Sequence, residues 1–183
     1  MDGKLVRLRG YEMSDLDAVT KWINDEEVTQ FLGSGMLSYP VSSIAERKFI
    51  EKFGLSESAN EKTFAIETLA DRRFIGALGL HGIDWINRHS ALGIMIGDKQ
   101  HWGRGYSTDA IRVLRRLAFD KLNLHRLWLQ VYDFKARDRF LREVRLQARR
   151  VLREQRFFGR KYHDTIVMGI LEAEYRALGK AQA

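Results

Sequence analysis

The sequence predicts an α/β protein: one domain with a mixed, mostly antiparallel central sheet flanked by helices. Three observations predict it. The apolar period is helical near the N-terminus, switches to two from Lys62 to Ile96, and becomes helical again from Tyr106 to Leu122. The middle strands follow one another through short turns, as antiparallel strands do. With 183 residues, 45% of them apolar and 30% charged, the chain is long enough for one core and too apolar for bulk disorder. Residues 1–183 are therefore read as a single domain.

Each element has its own signal. Lys4 to Arg9 alternates and reads as a strand. Ser14 is placed as the N-cap of a helix carrying Leu16, Ala18, Val19, Trp22 and Ile23, with Asp15 and Asp17 in its positive first turn. Asn24 to Tyr39 reads as a loop, and Pro40 as the opening of a second helix with Ile44, Phe49, Ile50 and Phe53 on one face. Thr63–Leu69, Phe74–Ile83 and Ala91–Ile96 form a meander of strands. Gly97–Gly105 is a loop, Tyr106–Leu122 a helix, and Arg126–Val131 a strand. The stripe Phe140, Leu141, Val144 and Ala148 predicts a helix over 136–149. Leu152–Phe158 offers a further strand, and Tyr162–Leu171 a last apolar one.

Composition excludes several functions. There is no Cys, so disulfides, zinc fingers, iron–sulfur clusters and a thiol nucleophile are excluded, and no metal is assigned. No apolar run approaches the roughly 18 residues that span a membrane. The start MDGKLVRLRG lacks an apolar signal core, which points to the cytoplasm. The net charge of +7 would suit nucleic acid, but its distribution weakens that reading. Residues 135–161 hold eleven Lys/Arg against three Asp/Glu, so the rest of the chain is close to neutral.

The stretch with chemistry in it is LGIMIGDKQHWGRGYSTDA, residues 92–110. Gly103 and Gly105 permit a tight turn that aims backbone N–H groups inward at a helix start, where they and the helix dipole favour an anion. Arg104 adds a cation. The expectation is a diphosphate site. No Walker loop is present, and the antiparallel strands before the loop argue against a Rossmann unit.

Gln100-His101-Trp102-Gly103-Arg104-Gly105 resembles the Q/R-x-x-G-x-G/A loop of the GNAT N-acetyltransferase superfamily. The flanking LGIMIGD and AFDKLNLHRLWLQVYDF are similar to the strands and helix around that family's cofactor. KLVRLRGYEMSDLDAVTKWINDEEV and VLREQRFFGRKYHDTIVMGIL resemble the two ends of its RimJ/RimL-like branch, which includes spermidine acetyltransferases. The resemblance implies acetyl-CoA as cosubstrate and direct attack by a primary amine of a protein N-terminus, small molecule or polyamine. It implies that Ile94, Met95 and Ile96 hold the pantetheine end. Gln100, His101, Trp102, Gly103, Arg104, Gly105, Tyr106 and Ser107 form the pyrophosphate loop. A homodimer is also expected.

The chain departs from the family at two places. Ala91 stands where a Glu base is usual, so the catalytic residue is not assigned: a water chain or the substrate's own equilibrium can deliver the free amine, His81 is a candidate base or simply a packed or exposed histidine, and Glu67 and His89 are read as surface positions. Lys135 and Arg142 replace an Asn and a Tyr. Paired shifts of the reading frame, true divergence, and a basic docking segment all account for 135–150. An acyl-CoA-binding protein without turnover is therefore the alternative function. Trp22, Phe31, Phe49 and Phe53 read either as core or as cover for the acceptor. Asp25, Glu26 and Glu27 would suit a cationic amine or a solvated loop.

Overall fold

The computed structural model describes residues 1–30, 32, 40–54, 58–132 and 145–180. Among these, seven strands form one sheet: β1 Val6–Arg9, β2 Lys62–Thr68, β3 Phe74–Asp84, β4 His89–Ile96, β5 Arg126–Tyr132, β6 Gln147–Phe158 and β7 Lys161–Leu171. Their order is β1-β2-β3-β4-β5-β7-β6. Every neighbouring pair is antiparallel except β4 and β5, which are parallel. The helices are α1 Leu16–Ile23, α2 Glu26–Thr29, α3 Ser43–Gly54, α4 Tyr106–Arg116 and α5 Glu172–Lys180. No described helix is long and apolar enough to cross a membrane.

Strand alternation divides the core. On one face Ile66, Leu78, Leu80 and Leu92 pack with Ile111 and Leu114 of α4. On the other, Ala65 and Ala77 meet Val19 of α1, Ile50 of α3 and Tyr11. Odd positions of β3 from Ala77 to His81 thus look toward α1 and α3, because side chains alternate along a strand. Opposite them, in register, stand Met95, Gly93 and Ala91.

Helix entry differs from the sequence reading in two places. Ser14 is not the cap of α1. It lies in a 3-10 turn, Met13–Asp15, and the Asp15 carboxylate accepts the Glu12 N–H at 2.9 Å. Asp15 is buried and also holds the Arg9 guanidinium, so it is fixed where a Ser hydroxyl would be free to rotate. Pro40 likewise does not open α3; Ser42 accepts the Ala45 N–H at 3.3 Å one residue before the helix begins. Ile50 is buried beneath α3, whereas Ile44 faces solvent and Phe49 meets Tyr11 edge-on at 6.0 Å. Within the segment read as loop, Glu26–Thr29 makes one helical turn capped by Asp25. The helix after the glycine loop ends in a π-turn at Leu117–Lys121.

The larger correction concerns 136–149. Residues 133–144 lie outside those described, but Gln147, Ala148 and Arg149 belong to β6, not to a helix. Arg, Leu, Gln and Ala favour a helix only weakly, and tertiary pairing overrides such preferences. Here the strand pairs with β7 from Gln147↔Gly169 to Phe158↔Lys161. Leu146, just before it, is buried in the core. The sequence reading also missed α5, whose Tyr175 stacks on Phe119 at 4.8 Å.

Candidate acyl-CoA site

β4 and β5 pair only through His89↔Arg126, Ser90↔Leu127 and Ala91↔Trp128. Beyond these three pairs the strands part. From Leu92 to Ile96, β4 is paired on its β3 side alone among the described residues, which leaves its other edge open to them. Ile94, Met95 and Ile96 lie along that edge.

The loop at the end of β4 is built by its own side chains. Asp98 accepts the Gln100 N–H at 3.0 Å and lies 3.2 Å from the His101 ring. His101 meets the Tyr106 ring edge-on at 5.1 Å. The Trp102 indole N–H donates to the Ile96 carbonyl at 2.7 Å, which ties the loop back to its strand; Trp102 acts as a brace here. Gly103 and Gly105 have φ of 69° and 85°, values that residues with a Cβ adopt at a cost.

The consequence is a row of free donors. Gly105 is the N-cap of α4 and carries no side chain to occupy the helix amides, so Tyr106 and Ser107 do not act as caps. Among the described residues, no acceptor takes the N–H groups of Gly103, Arg104, Gly105, Tyr106 or Ser107. The Arg104 side chain is exposed and makes no ion pair among them. Five unfilled amides, a helix N-terminus and one free guanidinium fit a diphosphate.

Other cations nearby are already neutralised. Lys99 lies 2.8 Å from Asp25 and 2.5 Å from Glu27, which holds α2 against the loop. Two of the three acidic residues suited to a cationic amine are thus committed to Lys99, which pulls Asp25 below the usual carboxylate range. Arg73 pairs with Asp98 at 2.9 Å.

Two supports act on partners that lie far off in the sequence. Trp22 of α1 is buried against Gly97; a Cβ there would fall 2.0 Å from the indole. Trp22 is therefore core, and it sets the exit of β4. Asp109, in the first turn of α4, is buried and accepts the N–H groups of Lys4, Leu5 and Val6 at 2.8, 2.7 and 3.2 Å. A carboxylate early in a helix could have flagged Asp109, but its partners lie more than 100 positions away.

The catalytic candidates separate cleanly. Glu67 is buried, not a surface residue as its sequence suggests. Burial pushes its carboxyl up, but Arg9 at 2.9 Å and Arg72 at 3.1 Å outweigh that, and it stays below the usual range. A carboxylate so paired is a poor proton acceptor. His89 lies 3.8 Å from Asp84 in the turn region. His81 is exposed and stands directly across from Ala91. Phe31 and the Phe53 side chain lie outside the described residues.

A sheet splayed at its centre, with an anion-ready loop at the mouth, suits an elongated ligand that carries phosphate. Residues 6–137 match the family model described as "Acetyltransferase (GNAT) domain", and the chain belongs to that family. The match covers well over half of the 183 residues. An uncharacterized N-acetyltransferase, p20, of Bacillus licheniformis is 25% identical over 173 residues, covering 92% of this chain and 93% of the relative. The spermidine N(1)-acetyltransferase of Vibrio cholerae is 26% identical over 169 residues, covering 92% and 94%. A crystal structure of the Vibrio cholerae spermidine N-acetyltransferase in complex with CoA and spermine superposes with a TM-score of 0.82 at 24% identity, covering 93% of this chain and 98% of that one. A GNAT-family acetyltransferase from Bacillus anthracis superposes with a TM-score of 0.79 at 16% identity, covering 95% and 99%.

Proposed function

We propose that this chain is an acetyl-CoA-dependent N-acetyltransferase that acetylates a primary amine, a polyamine being the acceptor class that its named relatives favour. The observation that carries the reading is the run of five free amides from Gly103 to Ser107 beside the unpaired Arg104. These groups would hold the pyrophosphate, and the open edge of β4 at Ile94–Ile96 would hold the pantetheine. Bound acetyl-CoA supplies the activated acetyl group. The chain's part is to orient it and to offer backbone donors toward the thioester carbonyl. RimJ/RimL-like action on a protein N-terminus is the second acceptor class within the same chemistry. Self-association completes the proposal: a Vibrio cholerae relative has been solved as a dodecamer, and light scattering reads the state of this chain.

A different reading keeps acyl-CoA binding without turnover, and Ala91 and Lys135 favour it, since each stands where the family has a functional side chain. One experiment covers both. Millimolar CoA should raise the melting temperature, because a ligand that binds only the folded state stabilises it. Acetyl-CoA with spermine, or with an Ala-terminated peptide, should release free thiol. Stabilisation without thiol release selects the binding protein, and no stabilisation rejects both readings.

A further inference from the structure

The sheet face toward α1 and α3 carries one unusual arrangement near the point where β4 and β5 part. Six positions line its centre: Ala77, Gly79 and His81 on β3, and Met95, Gly93 and Ala91 opposite them in register. Five are uncharged, and four of those are Ala or Gly. His81 is the one titratable group of the six. Its imidazole leans over the adjoining strand: a Cβ on Gly93 would meet its Nε2 at 3.1 Å and its Cδ2 at 3.3 Å. The missing side chain of Gly93 and the small one of Ala91 leave the space the ring occupies. Gly93 is the second residue of the β4 stretch, from Leu92, that no longer pairs with β5.

A primary aliphatic ammonium cannot attack a thioester until it loses a proton, and at neutral pH it is almost wholly protonated (pKa about 10.4 for a lysine-like amine). We infer that His81 is the catalytic base of this enzyme, taking the acceptor's proton at the open edge of β4. This rests on the acetyltransferase reading above and adds the residue that makes the amine reactive. The acceptor ammonium gives one proton to His81 Nε2, directly or across one water. The freed lone pair forms the C–N bond as the C–S bond of the thioester breaks. The thiolate takes the second proton from the amide nitrogen, and His81 returns the first to solvent. The products are an amide, a thiol and one proton.

Two properties suit His81 to this role. Desolvation by the packed sheet lowers its pKa below 6.5, against a smaller upward pull from Glu61, so the ring is neutral and able to accept at pH 7. Among the described residues Glu61, beside the start of β2, is the charged group acting on it; the facing positions Ala91 and Gly93 carry none. The ring is also solvent-accessible, so its proton can leave.

The test is a pH profile of kcat/KM for spermine acetylation. Wild type should lose activity on the acidic side with an apparent pKa below 6.5. His81→Gln should lower kcat/KM at pH 7 by about 100-fold or more and abolish that limb, while leaving stabilisation by CoA unchanged. A second variant keeps the result decisive. Ala91→Glu in the His81→Gln background puts a carboxylate in the same space from the opposite strand. It should recover activity and move the acidic limb toward pH 4–5, about the ordinary Glu range. Full activity of His81→Gln with an unchanged profile overturns the assignment and leaves acetyl transfer standing. Wild type that neither binds CoA nor acetylates spermine or the peptide overturns the acetyltransferase reading and this inference with it.

Discussion

The glycine loop of 97–107 and the outer hairpin of β6 and β7 are both basic, yet they use charge in opposite ways. In the loop, Lys99 and His101 are held by Asp25, Glu27 and Asp98, and among the described residues Arg104 has no ion-pair partner and five amides beside it have no acceptor. In β6, Arg150 and Arg153 are exposed on the last strand of the sheet. Charge on an edge strand blocks pairing with another sheet. Arg149 reaches Glu174 of α5, and Arg156 lies 5.4 Å above the Tyr132 ring, so the remaining cations partly anchor the strand. A count of positive charges therefore says little about ligands. What marks a site is a donor that the fold leaves unpaired in a fixed position, and β6 shows that a dense basic run can be an edge being kept single.

The sharpest break of this contrast is Asp109→Ala. It leaves three backbone N–H groups without their acceptor, one buried and two part-buried, and detaches β1 from α4, and should cost about 3 kcal/mol in urea unfolding, since a stranded buried donor costs about 1–3 kcal/mol. Next is Gly105→Ala, which forces a Cβ into a left-handed conformation at about 1–2 kcal/mol. Stabilisation by CoA should fall with it, because the loop amides lose their alignment.

Glu46→Gln gives a smaller, pH-dependent effect. Burial raises the Glu46 carboxyl above its ordinary value, so its ionisation opposes folding as pH rises through that raised value. The variant should melt higher than wild type at pH 7 and equally below about pH 4, where the carboxyl is protonated in both folded and unfolded chains. The smallest effect belongs to Arg150→Gln with Arg153→Gln. Unfolding should change by less than about 0.5 kcal/mol per exposed site, and CoA affinity should not move. A tenfold loss of CoA affinity in that double variant would erase the distinction between loop and edge.

Much of this was readable along the chain. Strands β2 to β5 and the helix after the loop follow from period and turn residues, and the cradle from Gly103 and Gly105, because both kinds of signal lie within a few residues. The failures share one cause. Ser14 was a reasonable cap until Asp15 was found clamped by Arg9. Residues 147–149 were reasonable helix until β7 offered a ladder twenty positions downstream. Glu67 alternated like a surface residue until Arg9 and Arg72 closed over it.

Local chemistry thus settled the class of fold and the glycine turn before α4, since backbone freedom and side-chain period act over one or two turns. Packing alone decided which groups became functional. Asp109 finds its donors across more than 100 residues. His81 meets Gly93 and Ala91 only because β3 and β4 pair in one register, and shifting that register by one residue would turn the imidazole to the other face. Long-range pairing has no short-range signature, and this is why the glycine turn could be read from its letters while its braces could not.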